Sequence, residues 1–294
     1  KIGYVPCDKD NESVAKALEY AYDDWCISVL AGALDDEVNR DKYAAFAEGY
    51  KVYFDPSTRF MRGLDSEGNW RTPFNPRASN HRNDDYCEGT AWQWTWFVPH
   101  DVDGLVELMG GRDAFIGKLD SLFTADSKLE GESTSVDISG LIGQYAHGNE
   151  PSHHIAHLYN YVGQPWRTQE IVDEVLHTLY FNNPDGLSGN EDCGQMSAWY
   201  VLNAMGFYQV CPGKPVYSIG RPLFDEAAIR LQNGNTFTII THNNSRDNKY
   251  VRKIILNGEE LAAPFFNHQD IVNGGTLELT MGAEPLMPDN ELRK

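Results

Sequence analysis

The stretch ESVAKALEYAYDDWCISVLAGA, residues Glu12–Ala33, predicts a long amphipathic helix and indicates a mainly α-helical fold. Asn11 precedes this helix and has the side chain of an N-cap residue. The apolar residues recur near helical spacing, at Val14, Leu18, Ala21, Trp25 and Val29. Comparable patterns predict further helices over residues 41–55, 88–97, 102–109, 113–123, 153–161, 169–180 and 195–205.

The last part of the chain has a different texture. Phe237–Thr241, Tyr250–Leu256 and Thr276–Met281 predict strands, separated by Asn-Asn, Asn-Gly and Gly-Gly pairs. We therefore expect a helical part over residues 1–225 and a β-strand segment over residues 226–294. That segment is short for a free-standing β-sandwich, so we expect it to complete a sheet whose other strands lie elsewhere. Paired helices with long, Gly-rich connections favour a helical toroid over a tight bundle.

Composition limits the partners of the chain. Its 294 residues carry a formal net charge of -19, which argues against nucleic acid and anionic membrane surfaces and favours a neutral substrate or a bound cation. The sequence contains no run of 18 apolar residues, so it predicts no membrane span. Residues 1–10 lack the apolar run of a signal peptide. Five cysteines without a C-x-x-C pair argue against a zinc-finger site and leave at least one thiol without an intrachain partner.

The run Asp85–Trp96, DYCEGTAWQWTW, is the first candidate for chemistry. Aromatic faces stack on the apolar C–H faces of sugars, and Gln93 is placed among the three tryptophans to bond hydroxyl groups. Desolvation beside such rings disfavours a charged carboxylate, which is the condition that a general acid needs, and Glu88 is the candidate. The structural alternative places Glu88 at a helix N-terminus, where it interacts with the helix dipole, and the tryptophans in the core.

The run His147–His154, HGNEPSHH, raises the question of zinc. Ser152 is placed to cap a helix that begins at His153, so His153 and His157 would share one helical face at the spacing of zinc ligands. The glutamate that follows the first histidine of H-E-x-x-H is absent here, which argues against this interpretation.

Oxygen donors occur in the same loop and in the run Pro184–Ser197, PDGLSGNEDCGQMS. Asn149 and Glu150 suit calcium or sugar hydroxyls, unless the loop is a buried polar loop bonded to itself. Glu191 and Asp192 are adjacent carboxylates in a Gly-rich loop before a predicted helix, and a cation or a shared proton would relieve their repulsion if they were buried. The second loop is a candidate for a general base, a metal site or both, and its alternative is a solvated acidic turn.

Two carboxyl groups are what glycoside hydrolysis requires, because one protonates the leaving oxygen and the other activates water or attacks directly. Glu88 and the Glu191–Asp192 pair are the best candidates. Two other classes remain open at this point. A sugar-binding module would use the tryptophans equally well, but it has no need for Glu88 together with Asp192. A zinc hydrolase would use His153 and His157.

Five short runs occur in a specific order and at specific spacings along the chain: Asp23-Asp24-Trp25-Cys26, Glu88-Gly89-x-x-Trp92-Gln93, Phe97-Val98-Pro99-His100-Asp101, His147 to His154, and Gly189 to Trp199. Together they resemble glycoside hydrolase family 92. The resemblance extends along essentially the whole chain, through Gly206-Phe207-Tyr208 to the final strands. It implies a calcium-dependent, exo-acting α-mannosidase that inverts the anomeric carbon. The implied substrate is a mannose-containing oligosaccharide or N-glycan with α-1,2 linkages.

The resemblance also implies an architecture. Family members have an N-terminal β-sandwich followed by an (α/α)6 toroid, and this chain looks like the later portion. It would contribute part of the toroid and then a β-strand segment that completes the sandwich, while the N-terminal β-sandwich segment has no counterpart here. An extracytoplasmic location is expected.

Residue by residue, Glu88 matches the family's general acid and the Glu191–Asp192 pair matches the region of the general base. Asp192 is the favoured base, and Glu191 would orient water or assist the metal. The implied metal ligands are Asn149 and Glu191. The implied substrate-binding residues are Trp92, Gln93, His147, Glu150, His153 and His154. In an inverting pair the two carboxyls stand roughly 6.5–9.5 Å apart, which leaves room for water.

Overall fold

The computed structural model describes residues 2–287, which form two compact units. The first unit contains residues 2–152 and 188–190, and the second contains residues 153–187 and 191–287. Helices and strands occur in both units, so the fold is mixed rather than mainly α-helical. Among residues 2–287, none of the helices has both the length and the apolar composition of a membrane span.

The first unit begins with its longest helix and continues with shorter helices and short strands. Its helices are α1 (Ser13–Ala33), α2 (Glu37–Ala47), α3 (Ala91–Trp94), α4 (Val102–Leu108) and α5 (Arg112–Thr124). Its strands are β1 (Phe54–Asp55), β2 (Phe60–Met61), β3 (Ala78–Asn80), β4 (Glu130–Ser133), β5 (Leu141–Ile142) and β6 (Tyr145–Ala146). The pairs β1–β2 and β5–β6 are antiparallel, and β3–β4 is parallel.

The beginning of α1 is capped by another part of the chain rather than by Asn11. The side chain of Asn11 donates to the carbonyl of Arg82, so the predicted N-cap is wrong. The amides of Val14 and Ala15 instead donate to the carbonyl of Asp85, at 3.0 and 3.1 Å. The segment that leads to Glu88 therefore satisfies the free N–H groups that every helix N-terminus exposes.

The second helix shows what the sequence pattern missed. The spacing predicts a start near Asp41, whereas α2 begins at Glu37 because the Asp36 carboxylate accepts from the amide of Asn39 and caps the helix there. A 3-10 turn over Glu48–Tyr53 follows, so the helical segment ends before Pro56 as predicted. Both α4 and α5 confirm their predicted positions within a residue.

The second unit combines a few helices with most of the longer strands. Its helices are α6 (Leu158–Tyr161), α7 (Pro165–Thr178), α8 (Gln195–Met205) and α9 (His268–Asn273). Its strands are β7 (Phe207–Tyr208), β8 (Val216–Ile219), β9 (Glu226–Arg230), β10 (Thr236–His242), β11 (Tyr250–Leu256), β12 (Glu259–Glu260), β13 (Phe265–Asn267) and β14 (Gly275–Gly282). Pro165 is the first residue of α7, where its fixed φ suits a helix start, so the predicted start at Gln169 was too late.

A five-stranded sheet with the order β12-β11-β14-β10-β9 confirms the three predicted strands as β10, β11 and β14. Strands β10 and β14 run parallel, and the other neighbouring strands pair antiparallel. Alternate side chains of β10 and β14 point into one apolar core, because strand residues alternate between faces. That core includes Phe237, Ile239, Leu277, Leu279 and Met281. The toroid, the sandwich and a boundary at residue 225 stay predictions.

Candidate active site

Glu88 lies in the loop before α3, in the left-handed backbone region with φ 47°. Helix α3 begins only at Ala91, because Thr90 is its N-cap: the Thr90 hydroxyl accepts from the amide of Trp92. The predicted helix over residues 88–97 was therefore too long. Glu88 precedes the cap, so the alternative in which it interacts with the helix dipole from the first turn is not observed.

Buried polar contacts hold the Glu88 loop in place. Asn149 donates through Nδ2 to the carbonyl of Glu88 at 2.8 Å, and this bond joins the loop to the run that begins at His147. Three residues before Glu88, Asp85 is 4% exposed, and its carboxylate accepts from the Ser13 hydroxyl at 2.9 Å and pairs with Arg71 at 2.9 Å. Burial raises the pKa of Asp85, while the charge of Arg71 opposes that shift.

The three tryptophans of this run divide into two roles. Trp94 and Trp96 are 2% and 1% exposed, and Trp94 Nε1 donates to the carbonyl of Cys87, so both are core residues. Trp92 is half-buried, with Phe60 edge-on at 4.9 Å and Lys118 Nζ 4.6 Å from its ring centroid. Trp92 is therefore the one residue of the three with ring surface left to contact a sugar.

Gln93 has a local structural role. Its Oε1 accepts from the amide of Thr90 at 2.7 Å and from the Thr90 hydroxyl at 2.8 Å, and its Nε2 donates to the carbonyl of Gln144. The residue is 3% exposed. Because both ends of the amide are engaged, this geometry does not favour the predicted contact of Gln93 with sugar hydroxyls.

The run from His147 to Ser152 is compact and mostly buried. His147 is fully buried, and its Nδ1 lies 2.8 Å from the hydroxyl of Tyr145. Asn149 Oδ1 accepts from the amide of Glu150, where a 3-10 turn over Glu150–Ser152 begins. Ser152 thus lies inside this turn. The prediction that it caps a helix beginning at His153 is wrong.

His153, His154 and His157 belong to the second unit, where the predicted helix over residues 153–161 is instead a 3-10 turn, Ile155–His157, followed by α6. His157 Nδ1 lies 3.0 Å from the Ser218 hydroxyl and Nε2 lies 2.9 Å from Asn203 Oδ1. Burial lowers the pKa of His157 to about 4, so its ring is neutral at physiological pH. Both ring nitrogens have protein partners, which argues against the zinc interpretation.

The remaining two histidines of the run are also enclosed. His153 is 2% exposed, its Nδ1 lies 3.2 Å from Gln195 Nε2, and its carbonyl accepts from Trp199 Nε1 at 3.0 Å. His154 is likewise buried, and its carbonyl accepts from the amide of His157. Helix α8, which supplies Gln195 and Trp199, therefore positions His153 by contacts to both its ring and its backbone.

The loop before α8 gives its two carboxylates different roles. Glu191 accepts from the amide and the hydroxyl of Ser197, each at 3.0 Å, so it caps the N-terminus of α8. Asp192 is exposed, and its carboxylate has no hydrogen bond or ion pair with any residue in the described range 2–287, although its backbone carbonyl accepts from the amide of Gln195 at 3.1 Å. Asp192 and Cys193 both have positive φ, 46° and 56°. The sequence did not indicate Ser197, although it stands at the third helical position, where a capping partner is expected.

The predicted site residues are thus divided between the two units. The first unit contains Glu88, Trp92, Gln93, His147, Asn149 and Glu150, and the second contains His153, His154, Glu191 and Asp192. Within the first unit, the direct bond between Asn149 and Glu88 brings two predicted runs together. Among residues 2–287, no group of three or more His, Cys, Asp or Glu side chains is placed to hold a metal ion.

Comparison with known proteins gives consistent matches. The family model of the glycosyl hydrolase family 92 catalytic domain matches residues 1–283. The family GH92 α-mannosidase BT3965 from Bacteroides thetaiotaomicron, solved in complex with mannoimidazole, is 42% identical, with a TM-score of 0.92 over 97% of this chain. The family GH92 inverting mannosidase BT2199 from Bacteroides thetaiotaomicron VPI-5482 is 41% identical, with a TM-score of 0.85 over 96% of this chain.

The chain matches only part of the length of its relatives. An uncharacterized secreted glycosidase of Arthroderma benhamiae is 29% identical over 314 residues, which covers 96% of this chain. The chain spans 38% of the length of that relative, 38% of BT3965 and 39% of BT2199.

Proposed function

The chain belongs to glycosyl hydrolase family 92, and from that premise we propose that it carries catalytic residues of an exo-acting α-mannosidase that inverts the anomeric carbon. The observation that carries the proposal is the match to two solved mannosidases at 42% and 41% identity over nearly all of this chain. One of those relatives is an inverting enzyme. The finer architecture that we propose is part of an (α/α)6 toroid followed by strands that complete a β-sandwich.

Glu88 acts as the general acid in this proposal and protonates the leaving oxygen. Two features support the assignment. Its backbone adopts a left-handed conformation, which costs free energy in a non-glycine residue and is characteristic of functional sites. Its carbonyl is held by Asn149, and the buried Asp85 anchors the same loop, so the backbone that carries the carboxyl group is fixed by its surroundings.

Asp192 acts as the general base that activates water. Glu191 is already bound to Ser197 by both carboxylate oxygens, whereas the Asp192 carboxylate is exposed and keeps its acceptor sites for a water molecule. The left-handed φ of Asp192 again indicates a constrained backbone. Glu191 then fixes the beginning of α8 and, through it, the orientation of the loop from which Asp192 projects.

The proposed substrate is a terminal mannose of an oligosaccharide or N-glycan in α-1,2 linkage. Mannoimidazole, bound to BT3965, supports a mannose-shaped site in the family. Trp92 offers its half-buried ring for contact with the sugar. Glu150, His147, His153 and His154 are proposed to shape the pocket, and Gln93 to support it through its bond to Gln144 rather than by direct contact.

Calcium is proposed as the cofactor, with Asn149 and Glu191 as side-chain ligands. The donor chemistry fits, because both residues present oxygen and calcium prefers oxygen ligands. Each retains acceptor capacity: Asn149 Oδ1 accepts one bond, from Glu150, and each Glu191 oxygen accepts one bond from Ser197. Other ligands would come from backbone carbonyls, waters and sugar hydroxyls. The ion, when bound, would favour the distortion of the mannose ring towards its transition state.

An extracytoplasmic location is also part of the proposal, and the secreted relative from Arthroderma benhamiae supports it. A stereochemical experiment tests the central claim. Proton NMR during cleavage of an aryl α-mannoside should show β-mannose as the first product, with the α-anomer appearing only by later mutarotation. Release of α-mannose as the first product would contradict the proposed inverting mechanism. Absence of any cleavage would contradict the proposed hydrolase activity. Calcium titration of the protein by calorimetry, with Asn149→Ala and Glu191→Ala as variants, tests the metal separately from activity.

A further inference from the structure

A cavity of about 580 Å³ in the second unit has no role in the proposed reaction. It lies between the turn that follows α7 and the exposed face of α8. Three aromatic rings line it, from Tyr180, Phe181 and Tyr200, and polar groups come from Asn182, Asn183 and Ser197. Binding sites for small molecules in proteins span roughly 300–1,000 Å³, so this volume accommodates a ligand.

The chemistry of the lining is selective. All of its residues lie in the described part of the chain, and none of them carries a charged side chain. This is unusual surface for a chain with a net charge of -19. Aromatic faces contact apolar C–H surfaces, while amides and hydroxyls exchange hydrogen bonds with hydroxyl groups. Phe181 is 56% exposed, so its ring is accessible to a partner.

The walls are held in place before any ligand arrives. Tyr180 donates its hydroxyl to the carbonyl of Met196 at 3.0 Å and stacks parallel to Trp199 at 6.0 Å. The amide of Phe181 donates to the carbonyl of Gly186, and this bond closes the turn. A Cβ atom at Gly186 would lie 2.0 Å from the Phe181 carbonyl oxygen, so only glycine fits there. Preorganised walls lower the entropy cost of binding.

The cavity is also connected to the loop that carries the proposed base. Ser197 lines the cavity, and its amide and hydroxyl hold the Glu191 carboxylate. We propose that this cavity is a second saccharide-binding site that takes an uncharged oligosaccharide, with Phe181 and Tyr200 as its stacking rings. The inference rests on the proposed function only in its choice of mannose units as the sugar. A ligand there would contact the residue that anchors Glu191.

Amide NMR of the full chain locates this binding directly. Titration with mannotriose should shift the amide signals of Gly186 and Val201, and mannuronic acid trimer should shift them at least tenfold less, since nothing in the lining neutralises a carboxylate. Phe181→Ala with Tyr200→Ala should weaken mannotriose binding at these amides about tenfold, because stacking area is lost. Phe224→Ala is the matched control, since Phe224 is 47% exposed in the same unit but does not line the cavity.

Three results would overturn the proposal: no shift of those amides with mannotriose, an equal response to the charged trimer, or unchanged binding by the double variant. If that variant does not fold, the single variant Phe181→Ala, at a side chain that is 56% exposed, answers the same question. Another polypeptide segment filling the cavity in a crystal structure would overturn it as well. Hydrolysis of an aryl α-mannoside is measured in parallel: its absence counts against the proposed catalytic function alone, because the amide shifts do not depend on turnover.

Discussion

The loop before α3 and the loop before α8 place a proposed catalytic carboxylate in the same left-handed backbone, but they are anchored in opposite ways. The Glu88 loop is fastened by buried side chains: Asp85, the Thr90–Gln93 capping pair and Asn149. The Asp192 loop is held mainly by the first turn of α8, through the bonds from Ser197 to the Glu191 carboxylate and from the amides of Gln195 and Met196 to the carbonyls of Asp192 and Glu191. Glu88 is half-buried, whereas Asp192 is exposed, so the two loops give their carboxyl groups different access to solvent.

The largest effect is expected from Glu88→Gln. On a mannobiose with a poor leaving group, kcat should fall by about 10²–10⁴-fold, because the leaving oxygen loses its proton donor. On an aryl mannoside with a good leaving group the loss should be much smaller. Steady-state kinetics with both substrates measure this difference. The control is Glu107→Gln, an exposed glutamate on α4. Equal losses on the two substrates would contradict the acid role.

The second loop offers a test that separates its two neighbours. Asp192→Asn should lower kcat by about 10²–10⁴-fold, since the amide cannot accept a proton from water. Glu191→Gln keeps one acceptor oxygen for Ser197, so its loss should be nearer to about tenfold. The ratio of the kcat values of the two variants shows which of the two carboxylates is the general base. If Glu191→Gln is the more damaging substitution, the base has been assigned to the wrong carboxylate.

Acid should distinguish the two units. Folding lowers the pKa of His157 from 6.5 to about 4, so the unfolded chain binds a proton that the folded second unit does not accept. The free energy of unfolding of the second unit therefore falls by up to about 3 kcal/mol as the pH falls from 6.5 towards 4, because the buried neutral ring of His157 no longer favours the folded state. In the first unit, hydrogen bonds from Ser57 and Arg62 lower the pKa of Asp55 from 3.8 to about 2, although burial opposes them, so its contribution is lost only below 3.8.

Urea unfolding at pH 7 and pH 4.5 measures this acid effect, with the pH dependence of His157→Gln as the comparison. The variant should be less stable at pH 7, because the buried contacts to Ser218 and Asn203 are weakened. It should also lose less stability on acidification. An identical pH dependence in both proteins would mean that other groups control the acid response.

The smallest effects concern the helix caps. Thr90→Ala should destabilise the first unit by about 1–2 kcal/mol, because it removes a buried N-cap that also holds Gln93. Glu191→Ala should cost the second unit about 0.5–1 kcal/mol, since its cap is more exposed. Chemical denaturation gives both values. A larger cost for Glu191→Ala than for Thr90→Ala would show that the cap of α8 stabilises its unit more than its exposure indicates.

Much of the fold followed from local patterns. The strand at Tyr250–Leu256 and the helix at Gln195–Met205 have the bounds that their periodicity predicts, because hydrophobic spacing and turn residues act over short distances. The loops of the site were less predictable. Residues 88–97 have a helical pattern, yet the chain is not helical before Ala91, because Glu88 adopts a positive φ that no propensity favours.

The sequence by itself determined which residues could do the chemistry: the carboxylates at Glu88, Glu191 and Asp192 and the order of runs that identifies the family. Tertiary structure decided how these residues differ. Glu191 became a cap because Ser197 lies within hydrogen-bonding distance, and Trp94 and Trp96 became core because folding buries them. Residue type sets what a group can donate, accept or stack against. Only the packed chain sets which of those capacities its neighbours already occupy.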